Sequence, residues 1–144
     1  MKKSLTLDVI VTTIIMMWLY ASFSKYFDFG QFKRGMYDQP FPYWFSSLLI
    51  GILPPLEIII AVLVFIGKTT RLGLQVSLCL LIIFTIYVTA IVIHLIPIEP
   101  CPCGGMIREL TWPMHLIFNA FFIAINIIGL LIHSKLNLSK LQIE

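Results

Sequence analysis

The chain has 144 residues, of which 59% are hydrophobic and 12% charged, with a formal net charge of +3. Soluble domains carry about a quarter of charged residues, so this composition excludes an ordinary soluble domain and makes lipid the solvent for most side chains. The ten lysines and arginines form no basic run of the kind that grips phosphate backbones, which argues against nucleic acid as a partner.

Four apolar stretches in chain order predict four transmembrane helices. They run over about 5–23, 43–66, 72–96 and 112–132. Pro97 closes the third stretch, and Pro113 suits the first turn of the fourth, where a missing N–H costs nothing. The sequence therefore predicts an all-α membrane protein, a four-helix bundle that forms one domain over residues 1–144.

The positive residues predict the direction of the bundle. If both termini are cytoplasmic, the residues on the cytoplasmic side are Lys2, Lys3, Lys68, Arg71, Lys135 and Lys140. Those on the other side are Lys25, Lys33, Arg34 and Arg108. Because positive residues concentrate in cytoplasmic loops, we expect a multi-pass protein of the bacterial inner membrane with both termini inside. The connection over about 97–111 then faces the periplasm, where thiols can be oxidised.

That connection contains the only close pair of cysteines, Cys101 and Cys103, within the sequence PCPCGG at 100–105. The prolines restrict the backbone, whereas the glycines permit positive φ. A disulfide across one intervening residue requires a sharp bend, and the strain makes such a bond easier to reduce than a relaxed one. The pair is therefore a candidate redox-active dithiol.

Other roles for the pair stay open on these grounds. A static disulfide would pin the connection, and the two thiols could bind a metal together with His94, His115 or Glu99. The third cysteine, Cys79, lies about 27 Å along the third helix from Pro97 at 1.5 Å per residue. We expect Cys79 to be a small buried apolar residue.

Glu57 interrupts the second apolar stretch. It lies about 20 Å along the helix from Trp44, near the middle of the hydrocarbon layer, where a carboxylate is costly. We expect its side chain to face the bundle interior and to donate a hydrogen bond or relay a proton. The alternative is local repair of the helix kink at Pro54 and Pro55.

Further polar residues are predicted to lie near the cysteine connection. His115, Asn119 and Asn126 share one face of the fourth helix. Hydrogen bonds between helices account for the asparagines. His115 is a candidate base for a thiol proton, with a snorkelling or capping role as its alternative. Lys25, at the end of the first span, is predicted to anchor the interface or to lower the pKa of a nearby thiol.

Three separated stretches resemble the DoxX-like membrane proteins: SKYFDF at 24–29, LPPLE at 53–57 and the cysteine connection. More narrowly, CPCGG at 101–105, followed by LTW at 110–112 and by the residues around His115, is similar to the MauE branch. The resemblance implies a four-helix membrane bundle and periplasmic thiol chemistry.

In the MauE branch this chemistry matures the disulfide-rich subunit of methylamine dehydrogenase alongside a thioredoxin-like partner. By position, the resemblance assigns the paired cysteines of the family to Cys101 and Cys103. It likewise assigns the membrane glutamate to Glu57 and the lysine after the first helix to Lys25.

The leading hypothesis is a membrane thiol–disulfide oxidoreductase that exchanges electrons between Cys101/Cys103 and a periplasmic thioredoxin-like or other disulfide-containing protein. A quinone is the candidate electron carrier in the membrane, in a pocket lined by Trp112, His115 and Phe118. The alternative is a non-enzymatic accessory subunit of a larger membrane complex, in which the two cysteines form a static bridge.

Overall fold

The structure, a computed structural model, describes residues 2–95 and 112–141. Its elements are five α-helices: α1 (Lys2–Phe27), α2 (Phe29–Tyr37), α3 (Tyr43–Phe65), α4 (Thr70–Val92) and α5 (Trp112–Leu141). All except the short α2 are long and apolar enough to cross a membrane. The predicted all-α class with four spans is confirmed, whereas the side on which the termini lie stays a prediction.

The four spans form a ring. α1 packs against α3 and α5, and α4 packs against the same two helices, so α1 and α4 lie on opposite corners. Trp18 of α1 crosses this diagonal, because its indole Nε1 donates a buried hydrogen bond of 2.8 Å to Ser77 Oγ of α4. The apolar core around Trp18 includes Ile14, Ile60 and Leu74 and joins all the spans at mid-bundle.

The predicted end of the third span is wrong by about one turn. α4 ends at Val92, whereas the sequence placed the end near residue 96, before Pro97. His94 adopts a φ of 56°, in the left-handed region that no α-helix continues through. No sequence pattern indicates a positive φ at a histidine, so Pro97 was the nearest residue in the sequence that marks a helix end.

The short helix α2 was not predicted and lies between the first two spans. Asp28 caps it by accepting a hydrogen bond at Oδ1 from the Gln31 backbone N–H, at 3.3 Å. Its buried residues Phe32 and Met36 cluster with Ile50 of α3, while the two basic residues after Phe32 are exposed. α2 is therefore an amphipathic helix with its apolar side on the bundle.

Cys79 is exposed on the outer surface of α4, which corrects the expectation that it is buried. The expectation failed because the lipid around a membrane bundle is as apolar as its core, so an apolar side chain has no preferred side. The thiol lies far along α4 from the cysteine connection and belongs to the lipid-facing surface.

α3 and α4 are in close contact at Gly73. A Cβ on this glycine would lie 2.5 Å from the Val64 backbone nitrogen and 2.7 Å from the Leu63 carbonyl carbon. The same turn is tied by hydroxyl groups, because Thr70 Oγ1 donates to the Val64 carbonyl at 3.1 Å. Only glycine fits between these two backbones without displacing one of them.

We therefore expect Gly73→Ala to destabilise the protein by about 1–3 kcal/mol, since an overpacked contact must push the helices apart. The measurement is unfolding of the purified protein by dodecyl sulfate in mixed micelles, followed by circular dichroism. Gly51→Ala is the matched control, because a Cβ at Gly51 meets nothing within 4 Å. Equal stabilities of the two variants would contradict the close approach at Gly73.

Candidate functional site

A cavity of ≈ 400 Å³ lies inside one half of the bundle. It is bounded by the end of α1, the start of α3, the end of α4 and the start of α5, and residues of α2 also line it. Most of its lining is aliphatic or aromatic. The lining residues that carry polar groups are Lys25, Gln39, Glu57, Tyr87, His115 and Asn119, together with the indole of Trp18.

The central polar contact of the cavity is an ion pair between α1 and α3. Lys25 Nζ lies 2.7 Å from Glu57 Oε1, and the two side chains are only 7% and 5% exposed. Lys25 Nζ also donates to the Ala21 carbonyl at 3.0 Å and lies 5.9 Å from the centroid of the Phe32 ring. Each charge thus compensates the other where water is excluded.

This geometry corrects the expectation that Lys25 anchors the interface. The side chain turns inward because Glu57, 32 residues away in sequence, lies beside the end of α1. Glu57 faces the bundle interior as expected, but it accepts its hydrogen bond from Lys25 Nζ, where a donating carboxyl group was expected. The carbonyl of Pro54 accepts a hydrogen bond from Ser22 Oγ of α1 at 2.9 Å.

The polar face of α5 is buried as predicted. His115, Asn119 and Asn126 are all buried, and the His115 imidazole packs edge-on against Phe84, with ring centroids 6.3 Å apart. Asn126 Nδ2 donates to the Phe122 carbonyl one turn before it at 2.9 Å, so this hydrogen bond lies within the helix, where one between helices was expected.

Two buried polar atoms on the cavity lining, Asn119 Nδ2 and Glu57 Oε2, have no hydrogen-bond partner among residues 2–95 and 112–141. The first is a donor and the second is an acceptor when the carboxyl group is ionised. Buried polar atoms are nearly always paired in folded proteins, so such a pair of atoms on one cavity needs an explanation.

Sequence reasoning missed a second polar contact of the cavity. The Tyr87 hydroxyl of α4 donates to Gln39 Oε1, and Gln39 Nε2 donates to the Gly35 carbonyl at 3.1 Å. Gln39 is buried in the connection between α2 and α3. Neither residue stands out in the sequence, because a glutamine beside a proline reads as an exposed turn and a tyrosine in a span reads as apolar.

Cys101, Cys103 and Glu99 lie outside the described residues, as does the side chain of Trp112. His94 is exposed beyond the end of α4. Phe118 does not line the cavity, contrary to expectation, because it packs on the apolar core and against Phe122. The metal hypothesis also depends on the cysteines. Within the part of the chain that the structure describes, no cluster of three or more histidine, cysteine, aspartate or glutamate side chains could hold a metal ion.

The family model of the methylamine utilisation protein MauE matches residues 3–132 of the chain. The chain belongs to the MauE family. No curated protein and no solved structure matches it. The match reaches from the first span into the last and so includes the cavity and the cysteine connection. Together with the four apolar helices, it identifies a multi-pass membrane protein of the methylamine utilisation context. The wider DoxX resemblance stays a prediction.

Proposed function

We propose that this MauE-family protein is a membrane thiol–disulfide oxidoreductase. In this proposal, Cys101 and Cys103 exchange electrons with a thioredoxin-like protein on the periplasmic side. The observation that carries the proposal is the position of the cavity: two of its ionisable lining residues, Lys25 and His115, lie at the helix ends nearest the cysteine connection.

The chain topology supports this placement. The cysteine connection leaves the bundle after α4 and re-enters it at α5. Tyr87, near the end of α4, and His115, in the first turn of α5, both line the cavity. The dithiol is therefore tethered on both sides to helices that build the cavity, and His115 is the candidate group that takes up a thiol proton.

The Lys25–Glu57 ion pair also supports the placement of the cysteine connection on the periplasmic side. With both termini cytoplasmic, six positive residues of the sequence lie on the cytoplasmic side and four on the other side. Lys25 is neutralised within the bundle, so four minus one leaves three positive residues for the outer side. A ratio of six to three strengthens the case for cytoplasmic termini.

The chemical step is thiol–disulfide exchange. A thiolate of the reduced pair attacks a disulfide of the partner and forms a mixed disulfide, and the second thiolate then attacks that bond. The partner leaves as a dithiol, and a Cys101–Cys103 disulfide remains. Two electrons and two protons pass from one pair of sulfurs to the other, and the reverse reaction uses the same steps.

The test is disulfide transfer in vesicles. The reduced protein is mixed with an oxidised thioredoxin-like protein, and the free thiols of both are counted by alkylation. We expect transfer in the wild type and equally in Cys79→Ala, because Cys79 faces lipid. A Cys101/Cys103 pair that is neither oxidised by the oxidised partner nor reduced by the reduced partner would overturn the proposal. It would support a static bridge in an accessory subunit.

A further inference from the structure

We infer that the cavity binds the ring of a lipid-soluble quinone, which is the electron carrier for the dithiol; this inference rests on the proposed function. Thiol exchange alone would leave the pair oxidised or reduced after one turnover. A second redox partner must reset it. The geometry of the cavity indicates which chemical class that partner has.

The position of the cavity restricts how a ligand arrives. Its walls are formed by membrane-spanning helices, and its volume of ≈ 400 Å³ is in the range of small-molecule sites. Two wall residues of α4, Ile83 and Phe84, are also 58% and 36% exposed. The wall is thin at these side chains, so an apolar tail can pass there from the ring site into the bilayer.

The lining suits a flat ring with polar groups on its edge. Aromatic side chains from α2, α4 and the start of α3 line the cavity, among them Phe32, Phe45 and Phe84, and rings of this kind pack favourably against another ring. The polar atoms without described partners, Asn119 Nδ2 and Glu57 Oε2, supply one donor and one acceptor. An acyl chain would fill the space but leave both atoms unsatisfied.

A quinone pairs with the donor when it is oxidised and with both atoms when it is reduced to the quinol. The carbonyl oxygens of the oxidised ring accept a hydrogen bond, as Asn119 Nδ2 requires, and the hydroxyls of the quinol donate one, as Glu57 Oε2 requires. His115 and the Lys25–Glu57 pair lie on the same cavity and can hold the protons that move with the electrons.

The dithiol and the quinone exchange two electrons and two protons. When the dithiol is oxidised, two S–H bonds break and one S–S bond forms. Two electrons and two protons reach the two carbonyl oxygens of the quinone, which becomes a quinol. When the disulfide is reduced, the quinol gives up the same two electrons and two protons and becomes the quinone.

The test measures binding without the redox reaction. The full chain carries Cys101→Ala and Cys103→Ala to prevent turnover, and Trp44→Phe and Trp112→Phe so that only Trp18, on the cavity lining, fluoresces. The probe is decylubiquinone, added to the protein in phosphatidylcholine vesicles. Since quinones quench indole fluorescence at short range, we expect saturable quenching of Trp18.

Two asparagines of α5 give a matched comparison. Asn119→Leu removes the cavity donor and should weaken quinone binding at least tenfold. Asn126→Leu changes the same residue type on the same buried face outside the cavity and should leave binding unchanged. Phe84→Ala, on the thin wall, is a second variant with an expected loss of binding, and circular dichroism verifies that each variant is folded.

The outcomes separate this inference from the proposed function. Quenching that rises linearly without saturation shows partition into lipid alone and overturns the quinone site, as do equal affinities for the two asparagine variants. Because the binding test lacks the cysteines, either result leaves disulfide transfer to be decided by its own assay. If the binding variant binds quinone saturably but the wild-type protein fails to transfer disulfides in its own assay, only the proposed function is overturned.

Discussion

Replacing either Cys101 or Cys103 by alanine is expected to reduce disulfide transfer to the background rate. A dithiol completes exchange because its second thiolate resolves the mixed disulfide, and a single remaining thiol can only reach that intermediate. One of the two variants should therefore accumulate a covalent adduct with the thioredoxin-like partner. The measurement is a gel-shift assay under non-reducing conditions, with transfer counted by alkylation.

The controls for this result lie within the same chain. The Cys101→Ala/Cys103→Ala double variant should form no adduct, and Cys79→Ala should both transfer and resolve like the wild type, because its thiol faces lipid. Transfer at the wild-type rate by either single variant would contradict a paired dithiol. An adduct formed through Cys79 would place the reactive thiol in the middle part of α4, away from the cysteine connection.

Breaking the Lys25–Glu57 ion pair from one side is expected to cost about 3–5 kcal/mol of unfolding free energy. Lys25→Met leaves the Glu57 carboxylate buried without its counter-charge, and Glu57→Met does the same to the ammonium group. The double variant Lys25→Met/Glu57→Met should recover most of the loss, since it buries no charge. Unfolding by dodecyl sulfate in mixed micelles gives the four free energies of this cycle.

Lys33→Met is the control for a lost positive charge, because Lys33 is exposed on α2 and should change stability by less than about 0.5 kcal/mol. If the unfolding free energy lost in the double variant equals the sum of the losses in the two single variants, the two side chains do not interact, which would contradict the ion pair. The double variant should still bind quinone at least tenfold more weakly than the wild type, since Glu57 also lines the cavity.

Hydropathy and length were sufficient to predict the four spans, because a membrane requires long uninterrupted helices and leaves a strong compositional signal. The polar face of α5 was predicted for a related reason: His115, Asn119 and Asn126 are expensive in lipid and must turn inward. An apolar residue such as Cys79 has no such preference in a membrane. Its side was therefore assigned wrongly.

The contacts that build the cavity could not be predicted from the sequence. Glu57 and Lys25 were each identified as candidates, but their pairing depends on how α1 and α3 align, which no local pattern encodes. The contact between Gln39 and Tyr87 spans 48 positions and involves two inconspicuous residues. α2 was missed because nine residues with two basic side chains read as a loop.

The reduction potential of the Cys101/Cys103 couple tests the central claim most directly. The purified Cys79→Ala protein is equilibrated with thiol–disulfide buffers, and the alkylated fraction of the pair is measured at each poise. We predict a reversible two-electron couple above about −300 mV, within reach of thioredoxin-like partners. A couple well below about −300 mV, resistant to those reductants, would contradict the account and identify a structural disulfide.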